Sequence, residues 1–279
     1  MISQVFTTSI AGEPELVLET HHLHLEAPNW SQDGRALILN GDGVLWRFDL
    51  ATNSLDRIPI SGVPELNNDH VLDPDGEHVF LSAHDGHIYR APLSGGRGVR
   101  VTNETGRLHF LHGVSPDGGT LAYVGVEAEG DNRWARANVF TIPSQGGPDQ
   151  QFTFGSAPAD GCEFSPNGSW IYFNTEAFSP GHAQIARIPA EGGEPEQLTF
   201  DERVNWFPHL TPDGSAAVYL SYPAGTLGHP GGLDVELCVV ADDWTDPVRR
   251  LPLWGGQGTI NVPSWSPAGD RFAYVAYQP

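Results

Sequence analysis

A short turn motif occurs six times along the 279-residue chain and constrains its fold more than any other feature. Proline and Asp or Asn favour a tight bend, and the closing glycine accepts a positive φ angle. A repeat of about 40 to 55 residues is typical of β-propellers. The copies read NWSQDG, VLDPDG, GVSPDG, EFSPNG, HLTPDG and SWSPAG, and they end at Gly34, Gly76, Gly118, Gly168, Gly214 and Gly269.

Each copy of the motif is followed by segments that have the pattern of short strands. In the fifth copy these are AAVYLSY (216–222), ELCVVADDW (236–244) and VRRLP (248–252). Together with the strand that enters the turn, they make four antiparallel strands per repeat, which is one propeller blade. The sequence therefore predicts an all-β, six-bladed β-propeller.

The sixth repeat contains only its first two strands, within residues 262–277. Residues 5–19 follow the same pattern as residues 185–199, which form the outer half of an earlier repeat. We expect residues 4–19 to complete the last blade, because this two-plus-two closure removes free sheet edges. The whole chain, 1–279, is predicted to be one domain.

Composition excludes several classes of function. The net charge is −21 and all 14 basic residues are Arg, so the lysine of a phosphate-binding loop or of a pyridoxal phosphate enzyme is missing. The acidic surface disfavours nucleic acid as a partner. No apolar run is long enough for a membrane span, and no secretory signal is recognisable, so we expect a cytoplasmic location without membrane insertion. Cys162 and Cys238 are expected to be separate buried thiols.

The six turns, together with the pattern IxxxxxxGGxxxxLT between them, resemble the TolB-type β-propeller over essentially the whole chain. The resemblance implies the fold and a surface that binds other molecules. TolB proper also has an N-terminal α/β domain and a periplasmic signal, which this sequence does not show. The resemblance therefore implies the propeller and not the Tol–Pal role.

Propeller topology predicts where the functional side chains meet. The six turns lie on one face, and the connections between blades lie on the opposite face, here called the upper face. Symmetry brings equivalent positions of these connections to the mouth of one channel. The expected residues from the connections are Glu26, Asn68, Asp69, Asp160, Trp206, Gln257 and Asn261, and longer loops add Arg133, Trp134, Arg136 and His229.

Three histidines of the upper face suggest metal chemistry. His70, His112 and His209 occupy similar positions in their repeats and are predicted ligands for Mn, Fe, Ni or Zn. His209 and His112 are also candidate catalytic groups, with Asp160 and Glu26 as acid–base partners. A simpler interpretation is that each imidazole caps backbone groups of its own loop.

Oligogalacturonate lyases are similar in their propeller repeats, and that family uses a His/Gln metal site for β-elimination. They have an extra blade, and no ligand is carried over. By this analogy, Arg133 or Arg136 would bind a sugar carboxylate, and Trp206 or Trp134 would stack on the ring. From their place on the upper face, the other predicted substrate contacts are Asn68, Asp69, His229, Gln257 and Asn261. The prediction is a metal-assisted lyase or hydrolase that acts on a small anionic saccharide. The alternative is a non-catalytic scaffold that binds a protein or a small ligand.

Overall fold

The computed structural model describes residues 1–130 and 132–278, with the side chains of 132–135 left out. The described residues form short β-strands joined by turns. None of them forms a helix long and apolar enough to cross a membrane. The strands are β1 (Ile2–Ser9), β2 (Glu15–Thr20), β3 (Leu25–Trp30), β4 (Ala36–Gly41), β5 (Val44–Asp49), β6 (Leu55–Arg57), β7 (Ile60–Ser61), β8 (Leu66–Leu72), β9 (His78–Ala83), β10 (Ile88–Pro92), β11 (Gly96–Arg97), β12 (Val99–Arg100), β13 (Leu108–Val114), β14 (Thr120–Glu129), β15 (Asn132–Pro143), β16 (Gln150–Gln151), β17 (Ala159–Phe164), β18 (Trp170–Thr175), β19 (Gln184–Pro189), β20 (Glu196–Gln197), β21 (Val204–Leu210), β22 (Ala216–Tyr222), β23 (Leu233–Ala241), β24 (Arg249–Gly255) and β25 (Arg271–Gln278).

The strands form six antiparallel blades, which confirms the predicted propeller. The first five blades have the strand orders β3-β4-β5-β6, β8-β9-β10-β12, β13-β14-β15-β16, β17-β18-β19-β20 and β21-β22-β23-β24. The first strands of successive blades contact one another, so they surround the central channel. A short parallel pair, β7 with β11, joins the edges of the first two blades.

The sixth blade is closed by the N-terminal strands, as predicted. β1 pairs with β25 from Ile2 opposite Gln278 to Ser9 opposite Arg271, and β2 pairs with β1. The innermost segment of this blade differs from its counterparts. It pairs with β25 through a single bridge, Trp265 with Phe272.

The core lies between the blades. One cluster joins the fifth and sixth blades through Val218, Leu220 and Phe272, and another joins the sixth and first blades through Val5 and Leu25. Cys162 and Cys238 are free and buried, as expected. Burial raises the pKa of the Cys162 thiol well above its usual value, so this thiol is unreactive.

The repeated turns are explained by local hydrogen bonds. In the third copy the Ser115 hydroxyl donates to Asp117 Oδ1 over 2.6 Å, and the Thr120 N–H donates to the Ser115 hydroxyl over 2.9 Å. Gly118 closes the turn with a φ of 72°. The same contacts recur in other copies, so the turn motif has a structural role. A binding site is therefore expected on the opposite, upper face.

Candidate functional site

A β-bulge interrupts the first strand of five blades, and it turns side chains into the mouth of the channel. Three of the bulges hold equivalent residues in left-handed backbone conformations: Ala27, Gly161 and Phe207, with φ of 52°, 62° and 55°. The bulge re-aims the neighbouring side chains, as bulges beside functional sites commonly do. Glu26 and Trp206, which precede two of these residues, both border the cavity at the mouth.

That cavity has a volume of about 590 Å³, which suits a small ligand or the side chains of a larger one. Its aromatic walls are Phe110, Trp206 and Phe207. Carboxylates dominate its polar lining, and no Arg borders it among the side chains that the structure describes. The carboxylates are Glu26, Asp42, Glu65, Asp69, Asp160 and Glu176, and the imidazoles are His24, His84, His112 and His229.

A series of paired polar side chains crosses the cavity, and its first half runs from the third blade to the fifth. His112 Nε2 lies 2.9 Å from Asp160 Oδ1, and His229 Nε2 lies 3.6 Å from Asp160 Oδ2. The Nδ1 atom of His229 is hydrogen-bonded to the Gln257 side-chain oxygen. Asp160 is thus held between two imidazoles.

The second half of this series of side chains returns to the first two blades. Gln257 donates to Asn68 Oδ1 over 3.3 Å, and Asn68 donates to Glu26 Oε1 over 3.2 Å. Asn261 also donates to the Gln257 side-chain oxygen over 3.2 Å. All six blades therefore contribute to one connected set of side chains, although its members are far apart in the sequence.

His112 is a cation in this set. Its Nε2 atom faces the Asp160 carboxylate and its Nδ1 atom lies 3.3 Å from the Asn261 carbonyl, so both nitrogens face acceptors. Burial lowers the pKa of His112, but the charges of Asp69 and Asp160 outweigh burial and raise it to about 9. Burial raises the pKa of Asp160, whereas hydrogen bonds from His112 and His229 hold it well below its usual range. His112 is therefore not a free base at neutral pH.

Asp69 is a buried carboxylate that receives one side-chain hydrogen bond from the described residues. Its side chain borders the cavity, and the residue is only 5% exposed. One oxygen accepts a hydrogen bond from Asn67 Nδ2 over 3.0 Å, and the other accepts none from the described residues. Burial raises the pKa of Asp69 to about 6, although the nearby His112 opposes the shift.

The predicted metal ligands do not come together as a ligand set. His209 Nδ1 lies 2.6 Å from Glu163 Oε2, and its Nε2 lies 2.6 Å from the Ile260 carbonyl. His70 is bound to the Ile38 carbonyl, and burial lowers its pKa to about 4.

Among the described residues, no group of three or more His, Cys, Asp or Glu could hold a metal ion. The residues present do not fit Mn, Fe, Ni or Zn, because His209 and His112 already use both ring nitrogens.

The predicted ligand contact of Arg136 also needs correction. Arg136 is exposed, lies 3.4 Å from Glu129, and does not border the cavity. The side chains of Arg133 and Trp134 lie outside the described part of the chain. Trp206 is buried at the cavity, with its ring centroid 4.5 Å from that of His229.

Sequence reasoning missed several residues at the mouth. Phe207 borders the cavity because the bulge turns it inward, and a regular strand would point it away. Asp42 and His84 sit in hairpins between the second and third strands of their blades. The topological rule that places such hairpins on the upper face could have found both. Glu65 and Glu176 were missed as well.

The glycine-rich segment 255–258 positions Gln257. Gly258 has a φ of +88°, and an added Cβ would lie 2.6 Å from Glu26 Oε1 and still closer to the Tyr277 hydroxyl. Only glycine permits this approach, so the segment serves close packing at the mouth.

Gly258→Ala is expected to destabilise the protein by about 2 kcal/mol more than Gly225→Ala. Both glycines have positive φ, but a Cβ on Gly225 would meet nothing within 4 Å. The control substitution therefore measures only the backbone strain, about 1 kcal/mol. Urea denaturation of the two variants tests the difference, and equal losses would show that the crowding at Gly258 relaxes freely.

The raised pKa of His112 predicts a pH-dependent stability. A folded pKa of about 9 exceeds the unfolded value of 6.5, so the contribution is fully present below pH 6.5. It is lost as pH rises through 9. We expect the difference in unfolding free energy between the wild type and His112→Asn to shrink by at most about 3 kcal/mol across this window. Urea denaturation from pH 6 to pH 9.5 measures it, with the exposed His22→Asn as control. Parallel curves for wild type and His112→Asn would contradict the assignment.

Comparison with known proteins gives close matches for the whole chain. It is 36% identical over 259 residues to an uncharacterized protein, Atu1656, of Agrobacterium fabrum, a match that covers 91% of this chain and 85% of the relative. It is 35% identical to the solved structure of a "putative TolB" from Agrobacterium tumefaciens, with a TM-score of 0.91 and coverage of 100% of this chain and 99% of that chain. No family model matches the sequence.

A distant match concerns the lyase analogy. The structure of an oligogalacturonate lyase in complex with manganese has a TM-score of 0.59 and 14% identity, and the match covers 90% of this chain and 72% of that chain. At this identity the similarity shows a shared fold and nothing about shared chemistry.

Proposed function

Because the chain belongs to the TolB-like β-propellers, we propose that it is a non-catalytic binding protein whose ligand occupies the cavity at the channel mouth. The observation that carries this proposal is the connected set of side chains from all six blades around a cavity of about 590 Å³. Such a rigid, preformed polar lining suits recognition, because little ordering remains to be done when the ligand binds.

The state of the imidazoles favours binding over catalysis. A general base needs a free nitrogen within reach of its substrate. His209 and His112 each have both nitrogens engaged by acceptors, and His70 is buried against a backbone carbonyl. Three of the predicted catalytic or metal-binding groups therefore hold the blades together.

An enzymatic alternative depends on His229. Its side chain is 29% exposed at the cavity, and its Nε2 lies 3.6 Å from Asp160 Oδ2. This pair could exchange a proton with a bound saccharide, as in the predicted lyase or hydrolase. The carboxylate lining disfavours an anionic sugar, since no Arg of the described side chains borders the cavity.

The ligand in the cavity could also be a side chain of a protein partner. Two loops of the upper face supply Glu176 and His229 to the cavity, and each also carries an exposed apolar side chain, Phe178 and Leu227. Exposed apolar side chains beside a polar pocket are typical of interaction surfaces. A partner could dock on these side chains and place one of its own in the cavity.

Ligand screening by thermal shift, with analysis of each ligand after incubation, tests the proposal. Neutral sugars, uronides, amines and short peptides are the probes. We expect some to stabilise the wild type, to be recovered unchanged, and to lose their effect in Trp206→Ala. The control Trp170→Ala, which lies outside the cavity, should respond like the wild type.

Two outcomes would overturn the proposal. One is a ligand that is converted to product by the wild type but not by His229→Ala. The other is a set of ligands that stabilise the Trp206 variant as well as the wild type. Elemental analysis of dialysed protein separately tests the metal-assisted alternative, which requires stoichiometric metal that is lost in a His112 variant.

A further inference from the structure

We propose that the ligand of this cavity is an organic cation, whose ammonium or guanidinium group sits against the Asp69 carboxylate with the aromatic walls around it. This inference rests on the proposed binding function and specifies the chemical class of the ligand. It is carried by the hydrogen bonding of Asp69, the aromatic lining and the charge balance of the cavity.

The second oxygen of Asp69 is available to a ligand in the cavity. The residue is 5% exposed, yet the described residues supply only one side-chain donor, Asn67 Nδ2. Neither oxygen of Asp69 is among the buried side-chain atoms that lack a hydrogen-bond partner in the described structure, so the second oxygen is open to the cavity. A ligand that carries N–H groups and a positive charge would donate to this oxygen and offset the charge of the carboxylate.

The aromatic walls suit the same ligand. Trp206 and Phe110 border the cavity together with Asp69. Aromatic rings attract ammonium and guanidinium groups through their negative faces, and tryptophan does so most strongly. The combination of a buried carboxylate with aromatic side chains therefore favours an organic cation over a neutral sugar.

The charge balance excludes an anion as the preferred ligand. Six carboxylates border the cavity, and His112 is the imidazole that the geometry shows as a cation. The net charge of the whole chain, −21, adds to the same field. Metal ions are a poor alternative, because no suitable group of ligands exists among the described residues.

Calorimetric titration with defined probes tests the proposal. The cationic probes are spermidine, agmatine and the amides of Nα-acetyl-lysine and Nα-acetyl-arginine, and the matched probes are Nα-acetyl-norleucine amide and galacturonate. We expect at least one cationic probe to bind about tenfold or more tightly than norleucine amide, and to bind less tightly as salt rises. Preference for free amines would indicate a small-molecule ligand, and preference for the amino acid amides would indicate a side chain of a partner.

Variants locate the bound cation. Asp69→Asn and Glu65→Gln each remove one negative charge from the lining, and the exposed Asp56→Asn removes one elsewhere. We expect Asp69→Asn to weaken binding about tenfold, Glu65→Gln to weaken it less, and Asp56→Asn to leave it unchanged. If Asp69→Asn does not fold, Glu65→Gln against Asp56→Asn decides the question.

The proposal is overturned if no cationic probe binds, or if the cavity variants and Asp56→Asn weaken binding equally. The second result would show general attraction to an acidic surface. Binding of galacturonate or a neutral sugar that disappears in Trp206→Ala would refute the cation but keep the binding function. Turnover of a ligand would instead refute the binding function.

Discussion

Replacing His209 by Ala is expected to lower the free energy of unfolding by about 3–5 kcal/mol. The His209 ring joins three blades, because it contacts Glu163 of the fourth and the Ile260 carbonyl that precedes the sixth. Removing it leaves a buried carboxylate and a buried carbonyl without this partner. Among the described residues, Glu163 then keeps the backbone N–H of Leu210 as its donor, over 2.9 Å.

Urea denaturation followed by tryptophan fluorescence measures this loss. His22→Ala is the matched control, since His22 is exposed and its imidazole makes no hydrogen bond with the residues that the structure describes. The control should change stability by less than about 0.5 kcal/mol. If His209→Ala were as stable as the control, the imidazole would be free for chemistry, and the enzymatic alternative would gain support.

Replacing Val5 by Asp is expected to cost about 4 kcal/mol or more, which is a large part of the stability of an ordinary domain. Val5 is fully buried on β1 and packs with Leu25 and Val275 where the ends of the ring meet. A carboxyl group there would be buried within a cluster of apolar side chains. Loss of this closure would expose the edge of β25, so we expect aggregation on heating as well.

Leu16→Asp is the control for Val5→Asp. Leu16 lies on β2 of the same closing pair of strands and is 47% exposed, so its replacement should be nearly neutral. Circular dichroism and thermal denaturation compare the two variants. Equal stability of the two would show that the N-terminal strands are dispensable for the fold.

Parts of the site follow from symmetry alone. Glu26, Asn68, Asp160, Trp206 and Asn261 hold equivalent positions in their repeats, and the structure brings all of them to one cavity. Their convergence could be predicted because a closed ring places equivalent residues at similar heights around its axis. Their roles in binding stay predictions.

The hydrogen-bond partners of the histidines could not be predicted from symmetry. His70 shares the repeat position of His112, and His209 lies one residue nearer its turn, but of the three only His112 borders the cavity. The partners that decide this are remote in the sequence: Glu163 and the Ile260 carbonyl for His209, and the Asn261 carbonyl for His112. A local pattern shows which residue types are available, but it does not show which acceptors face them.

The sequence by itself determined the number of blades, the position of the turns and the closure by the N-terminal strands. These features depend on local turn chemistry and on a regular period, and both are encoded in contiguous residues. Only the tertiary structure decided which way Phe207 points, that Gln257 meets Asn68, and that one oxygen of Asp69 accepts no hydrogen bond from the described residues. Such details depend on bulges and on distances across the ring, and no stretch of neighbouring residues contains that information.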